Sequence, residues 1–262
     1  MLALPGSAQV FTQSCAAPQF PGSSTPIDGT CKSSGSSDPK SADGLQDLRK
    51  NNFCAAGAPI MVTLSQLVAL QKTTAAAETQ KKLKQGDPPA DRTFLENLGE
   101  GNLVQFEGFV FEARQECKET VNCGAGSPNE DAFHDIHISL LDHAPVSKPG
   151  AAAADAEECG SFVAEMIPHH RPPEWNACNV NSVATQKLRV RITGQRMFDG
   201  SHLTCNGKTP NGDNPKRATL WEIHPIYTFE VCPKGDCQTG GWTPLTTFAA
   251  GKTTCQNKPC TD

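Results

Sequence analysis

The sequence predicts a mainly β fold: a five-stranded OB-like Greek-key barrel with a helix between its third and fourth strands, preceded by one helix and an irregular N-terminal segment. Three observations carry this expectation. From residue 103 onward, apolar residues alternate with polar ones in five separate runs. One polar, proline-broken stretch with helical potential separates the third run from the fourth. Twelve cysteines are spread from end to end with no Cys-x-x-Cys pair, which fits a framework of disulfides better than zinc knuckles.

Taken in order, residues 1–58 are rich in Ser, Gly, Pro and Ala and hold three cysteines, which reads as an irregular segment tied down by disulfides. The opening "MLALPGSAQVFTQSC" reads either as the tail of a signal peptide, with Gly6, Ser7 and Ala8 suited to a cleavage site, or as a disordered N-terminus. Residues 59–100 form a helical lead-in. Thr63 with Gln66 three residues on makes a capping box, and Leu64, Leu67 and Val68 make an apolar stripe. Lys81, Lys82 and Lys84 suit the negative end of the helix dipole, and Gly86, Pro88 and Pro89 supply the stop.

The barrel spans 101–232. Its strands are expected at 103–114, with Gly108 marking a bend, and at 133–142, 161–168, 187–199 and 217–232, with a short helix within 172–186. A cysteine-bearing tail, 233–262, closes the chain.

Strand alternation sorts the polar residues. Ile136, Ile138 and Leu140 share one face, leaving Asp135 and His137 on the other. Phe162, Ala164 and Met166 point inward and Glu165 outward; Leu188, Val190 and Ile192 point inward and Arg189, Arg191 and Thr193 outward. Trp221, Ile223, Tyr227, Phe229 and Val231 share a face, with Glu222 and His224 opposite, on the barrel's outer face between Leu220 and Ile226. That face reads either as a simply wetted one or, because Val163, Ile167, Leu220 and Ile226 lie on it, as a partly covered candidate groove.

Lys plus Arg is 23 against 28 Asp plus Glu, a net charge of −5, which argues against non-specific nucleic-acid binding. No stretch approaches a membrane span. Gly-x-Ser-x-Gly elbows and phosphate loops are absent from the sequence, as is His-Glu-x-x-His.

The segments "EGFVFEARQE", "ETVNCGAG", "FHDIHISLLD", "VAEMIPHHR", "LRVRITGQRMFDGSH" and "RATLWEIHPI" resemble the skeleton of a group of uncharacterised exported bacterial proteins. The shared pattern is a strand ending in Asp-x-His, a Val-x-Glu-x-x-Pro turn with a nearby Arg, a Gly-x-x-x-x-Asp-x-x-His loop and a final Trp-Glu-Ile-His-Pro. The resemblance covers roughly residues 100–232. It implies an OB-like core and points to His137, Glu165, Arg171, Asp199, His202, Glu222 and His224, without an activity. The long loop 143–160 and the extra cysteines depart from it.

Three functions follow as expectations for an extracellular or periplasmic protein. The first is a binding protein that uses the His/Glu/Arg face for a small molecule, a glycan or a protein. The second is a metal-assisted, phosphodiesterase-like hydrolase. There a divalent ion (Zn, Mn or Cu) sits on His137, His202, His224 and Asp199, Glu222 or Glu165 acts as base, and Arg171 or Arg217 clamps the developing anion. The third is a structural, self-associating protein of the cell exterior.

Overall fold

The computed structural model describes residues 11–81, 85–116, 120–123, 133–234, 237 and 240–252. Gly6, Ser7, Ala8, Lys82, Lys84, Cys117, Cys255 and Cys260 lie outside the described residues.

The N-terminal segment contains a regular element that its composition conceals. Helix α1 (Ala42–Lys50) starts at Ser41, whose hydroxyl accepts from Gly44 N at 3.0 Å, and ends with Arg49 and Lys50 in its last turn. The capping box expected for α2 (Leu64–Lys81) forms: Thr63 Oγ1 accepts from Gln66 N at 3.2 Å and Gln66 Oε1 from Thr63 N at 2.8 Å. Helix α2 buries Leu64 and Leu67 and presents Gln71 and Thr74 to the next layer. Gln71 Oε1 accepts from Leu220 N at 2.8 Å, and Thr74 Oγ1 from Trp221 Nε1 at 3.0 Å, so this helix fixes where a distant strand begins.

Besides two 3-10 turns, Pro26–Gly29 and Thr120–Asn122, the remaining elements are β1 (Ile60–Met61), α3 (Thr93–Asn97), β2 (Leu103–Glu116), β3 (Asp135–Leu141), α4 (Ala154–Glu158), β4 (Phe162–Met166), α5 (Ala177–Thr185), β5 (Arg189–Phe198), β6 (Trp221–Cys232), β7 (Thr243–Pro244) and α6 (Leu245–Phe248). The strands form one seven-stranded sheet in the order β1-β2-β3-β4-β6-β5, with β7 on β6 and a further pairing of β2 with β5. Pairing is mixed, because β1 runs parallel to β2 and β4 parallel to β6.

The five-stranded OB-like barrel expected from the sequence therefore gives way to a seven-stranded mixed sheet. Strands β1 and β7 have two residues each, too few to show alternation, and alternation carries no information on which strands run parallel.

The main core joins the inward faces of β2–β6 to α2, α3 and α5, with Trp221, Phe106, Phe162, Phe198 and Phe229 almost fully buried. Each such side chain contributes about 1.5–3 kcal/mol relative to exposure. Gly108 permits the close crossing of β2 and β3: a Cβ there would meet Leu141 O at 2.3 Å and the Phe106 ring at 2.5 Å.

Strict alternation fails in β6. Ile226 joins the main core, while Tyr227 packs with Phe53, Ala55, Leu103 and Ile167 on the other side. The cause is a double register shift against β5, on either side of Gly194, which exchanges the faces of the residues between.

Disulfides staple the covering segments to this sheet. Cys15–Cys54 closes the N-terminal segment, Cys31–Cys123 ties it to the β2–β3 connection, Cys159–Cys205 ties the start of β4 to the β5–β6 connection, and Cys232–Cys237 closes a short loop. Cys178 is disulfide-bonded as well, and no described cysteine is free. Thiols fully oxidised in this way are consistent with an extracytoplasmic setting.

Candidate functional site

Strand pairing assembles the site. His137 of β3 lies directly across from Glu165 of β4, and β4 meets β6 through Ala164 and Ile223, which sets Glu165 beside Glu222 and His224. Strand β5 ends at Phe198 opposite Trp221, so Asp199 emerges next to Glu222; its N–H is held by Leu220 O at 2.9 Å. The β5–β6 connection adds His202, Asp213 and Arg217, and α1 lowers Gln46 and Lys50 onto the cluster from above.

One ligand atom from each of Glu165, Asp199, Glu222 and His224 can be chosen so that all four lie within 4.8 Å of one another, and all four residues are fully buried. His224 Nδ1 is 3.1 Å from Glu165 Oε2 and 3.5 Å from Glu222 Oε2, and His137 Nε2 is 3.2 Å from Glu165 Oε1. None of these contacts reaches hydrogen-bond geometry: both Glu165 oxygens, Glu222 Oε2 and both His224 nitrogens make no hydrogen bond. Lys50 Nζ is 2.9 Å from Asp199 Oδ2, and His202 Nε2 is 3.6 Å from the same oxygen. Arg217 Nη1 donates to Glu222 Oε1, and its Nε donates to Pro215 O at 3.2 Å.

The electrostatics follow from this crowding. Burial disfavours a charged Glu165, but His137, His224 and Lys50 around it hold its carboxyl well below the usual range. Burial opposes ionisation of Asp199 too, and Lys50 and His202 override it, so its carboxyl is also lowered. Burial and the Glu165 charge push Glu222 upward against the pull of Arg217. Burial opposes a charged His224, yet the Glu165 carboxylate raises it to about 10.

His137, Glu165, Asp199, Glu222 and His224 thus come together, with His202 and Arg217 touching the rim of the group. Arg171 is placed elsewhere: its Nη1 donates to His134 O at 2.5 Å and Met166 O at 3.2 Å, bracing the ends of β3 and β4. The outer, groove-like face expected for Glu222 and His224 is corrected as well. Both are sealed, because α1 and the β5–β6 connection lie over them.

Sequence reasoning missed Gln46 and Lys50. Their spacing of four residues puts both on one helix face, a signal that appears only once Ser41 is recognised as a cap.

The chain matches no family model, no curated protein and no solved structure. Among the described residues, no helix is long and apolar enough to cross a membrane.

Proposed function

We propose that this chain is an exported, disulfide-stapled protein that binds a divalent metal ion at a closed centre made by Glu165, Asp199, Glu222 and His224. The observation that carries this reading is His224. It is fully buried, both ring nitrogens lack hydrogen bonds, and Nδ1 is aimed at two carboxylates. Buried charges without hydrogen bonds cost several kcal/mol each, and one cation at the centre, displacing the proton that the Glu165 carboxylate holds on His224, serves all these lone pairs together.

Three carboxylates and one imidazole form a hard-to-borderline donor set, which suits Mn²⁺ or Zn²⁺ better than a copper site built on sulfur. Catalytic zinc keeps an open position for water or substrate, whereas structural zinc is enclosed by four protein ligands. The four donors here are enclosed, which favours ion binding over the hydrolase reading. The same burial leaves a glycan or a protein no access to the cluster.

The test is elemental analysis of untagged protein, followed by calorimetric titration of the chelator-treated protein with MnCl₂ and with ZnCl₂. Stoichiometric metal, or saturable one-to-one binding, supports the reading. Absence of both overturns it.

A further inference from the structure

This inference rests on the reading of the cluster as a cation site, and concerns what governs its occupancy. Asp199 has two oxygens with different duties. Oδ1 accepts from Gln46 Nε2 at 2.9 Å and from Ser201 N at 2.8 Å, which fixes the carboxylate in the turn. Oδ2 is the oxygen left to face a cation, and the Lys50 ammonium stands 2.9 Å from it.

Gln46 and Lys50 lie one turn apart on the same face of α1, so one helix both orients Asp199 and places a positive charge on its remaining oxygen. Lys50 is 2 % exposed, and its ammonium lies at the end of a long stem within the sealed layer. An ammonium and a divalent ion cannot both sit within bonding distance of the same carboxylate oxygen at full strength, because their charges repel at close range in a poorly screened interior.

We infer that Lys50 is a built-in competitor: its ammonium neutralises Asp199 in the metal-free protein and is displaced from Oδ2 when a divalent ion enters. Helix α1 is thereby a gate as well as a cover. Arg49, the adjacent residue, holds the helix on Glu96 and Glu100, so Lys50 can release Asp199 while α1 stays docked. Occupancy is then set by the difference between what Lys50 and the metal each contribute at one oxygen.

Lys50→Met keeps the apolar stem and removes the charge, and its affinity for Mn²⁺ and Zn²⁺ is compared with that of the unaltered chain by calorimetry. The expected result is a Kd lower by about tenfold or more, together with a larger rise in Tm on adding metal, because the metal-free variant leaves Asp199 Oδ2 without the Lys50 ammonium and with only the more distant His202 beside it. Equal or weaker binding by Lys50→Met, with the unaltered chain still binding, overturns the inference and leaves the cation site standing. Binding by neither protein removes both.

A measurement on the unaltered chain covers the case in which the variant does not fold. Peptide mass analysis after amine-reactive labelling should show Lys50 labelled faster in metal-saturated than in metal-free protein, while the exposed Lys72 does not change. Unchanged labelling of Lys50 also overturns the inference.

Discussion

Helix α1 enters two buried charge clusters through adjacent residues, and the clusters differ in kind. Arg49 joins a group in which Glu100 is shared by two guanidiniums. Glu100 Oε2 accepts from Arg49 Nε at 3.0 Å and Arg92 Nε at 2.8 Å, and Oε1 accepts from Arg92 Nη2 and, at 3.1 Å, from Phe198 N. Every oxygen lone pair there has a donor, and positive groups outnumber the buried carboxylate. Lys50 joins the other group, where three carboxylates and an imidazole crowd together and several of their atoms make no hydrogen bond. Saturation is the mark of a cluster built to hold α1 in place. Its absence next door, under the same helix and the same burial, is what the proposed cation accounts for.

The sharpest way to break this contrast is to remove the saturated carboxylate. Glu100→Ala leaves two buried guanidiniums without their shared acceptor, and the expected loss is about 3–5 kcal/mol of unfolding free energy, measured by urea denaturation. Metal in excess should not restore it. A loss below about 1 kcal/mol would mean that the network is not what anchors α1.

Next in size is the staple that holds the cover. Cys31–Cys123 links the segment bearing α1 to the β2–β3 connection across 92 residues of sequence. Replacing both cysteines by Ala should cost about 2–4 kcal/mol and, because α1 caps both clusters, should speed the labelling of Lys50. Lost stability with unchanged labelling would show that α1 is held by its charges alone. Smaller still, Glu165→Gln should weaken Mn²⁺ or Zn²⁺ binding by about 10–100-fold, a range typical of changes in and around metal ligands. The metal-free protein should lose stability too, because the Glu165 carboxylate offsets the buried charges of His224 and Lys50. Unchanged metal affinity beside a fall in metal-free stability would instead class Glu165 with Glu100.

Much of this contrast is legible in the sequence, and the reason it is incomplete is physical. A period of two reports which residues share a face, so His137, Glu165, Glu222 and His224 could be grouped before any coordinates. It says nothing about what covers that face. The cover is α1, in a segment whose Ser, Gly and Pro content hides a nine-residue helix, and Asp199, which it touches, lies 153 residues from Gln46. Periodicity also assumes unbroken strands: the double register shift beside Gly194 put Tyr227 on the wrong side. Arg171 shows a third limit. Adjacency to a motif does not aim a long side chain, and this one turned to backbone carbonyls instead.

A third ionic contact of the N-terminal segment supplies the smallest test, one of pH. Asp28 Oδ1 lies 2.7 Å from His169 Nδ1, and the His170 ring stacks on Phe20 beside them. Burial pulls the His169 imidazole below its ordinary 6.5, outweighing the attraction of Asp28. Between that lowered value and 6.5 the unfolded chain binds more proton at this position than the folded one, so stability rises with pH across that window. The contribution is complete above 6.5 and is lost as the solution is acidified, with a slope of at most about 1.4 kcal/mol per pH unit for one proton. Asp28 is itself lowered from 3.8: burial opposes its charge, but the Thr25 N–H and His169 prevail, so its own contribution fails only below that value and does not overlap. Urea midpoints at pH 7.5, 6.5 and 5.5 should therefore fall more steeply for the unaltered chain than for His169→Asn, the other histidines being common to both. Parallel curves would mean that His169 titrates alike folded and unfolded, and that the segment is held against the sheet by its disulfides and by the two clusters under α1.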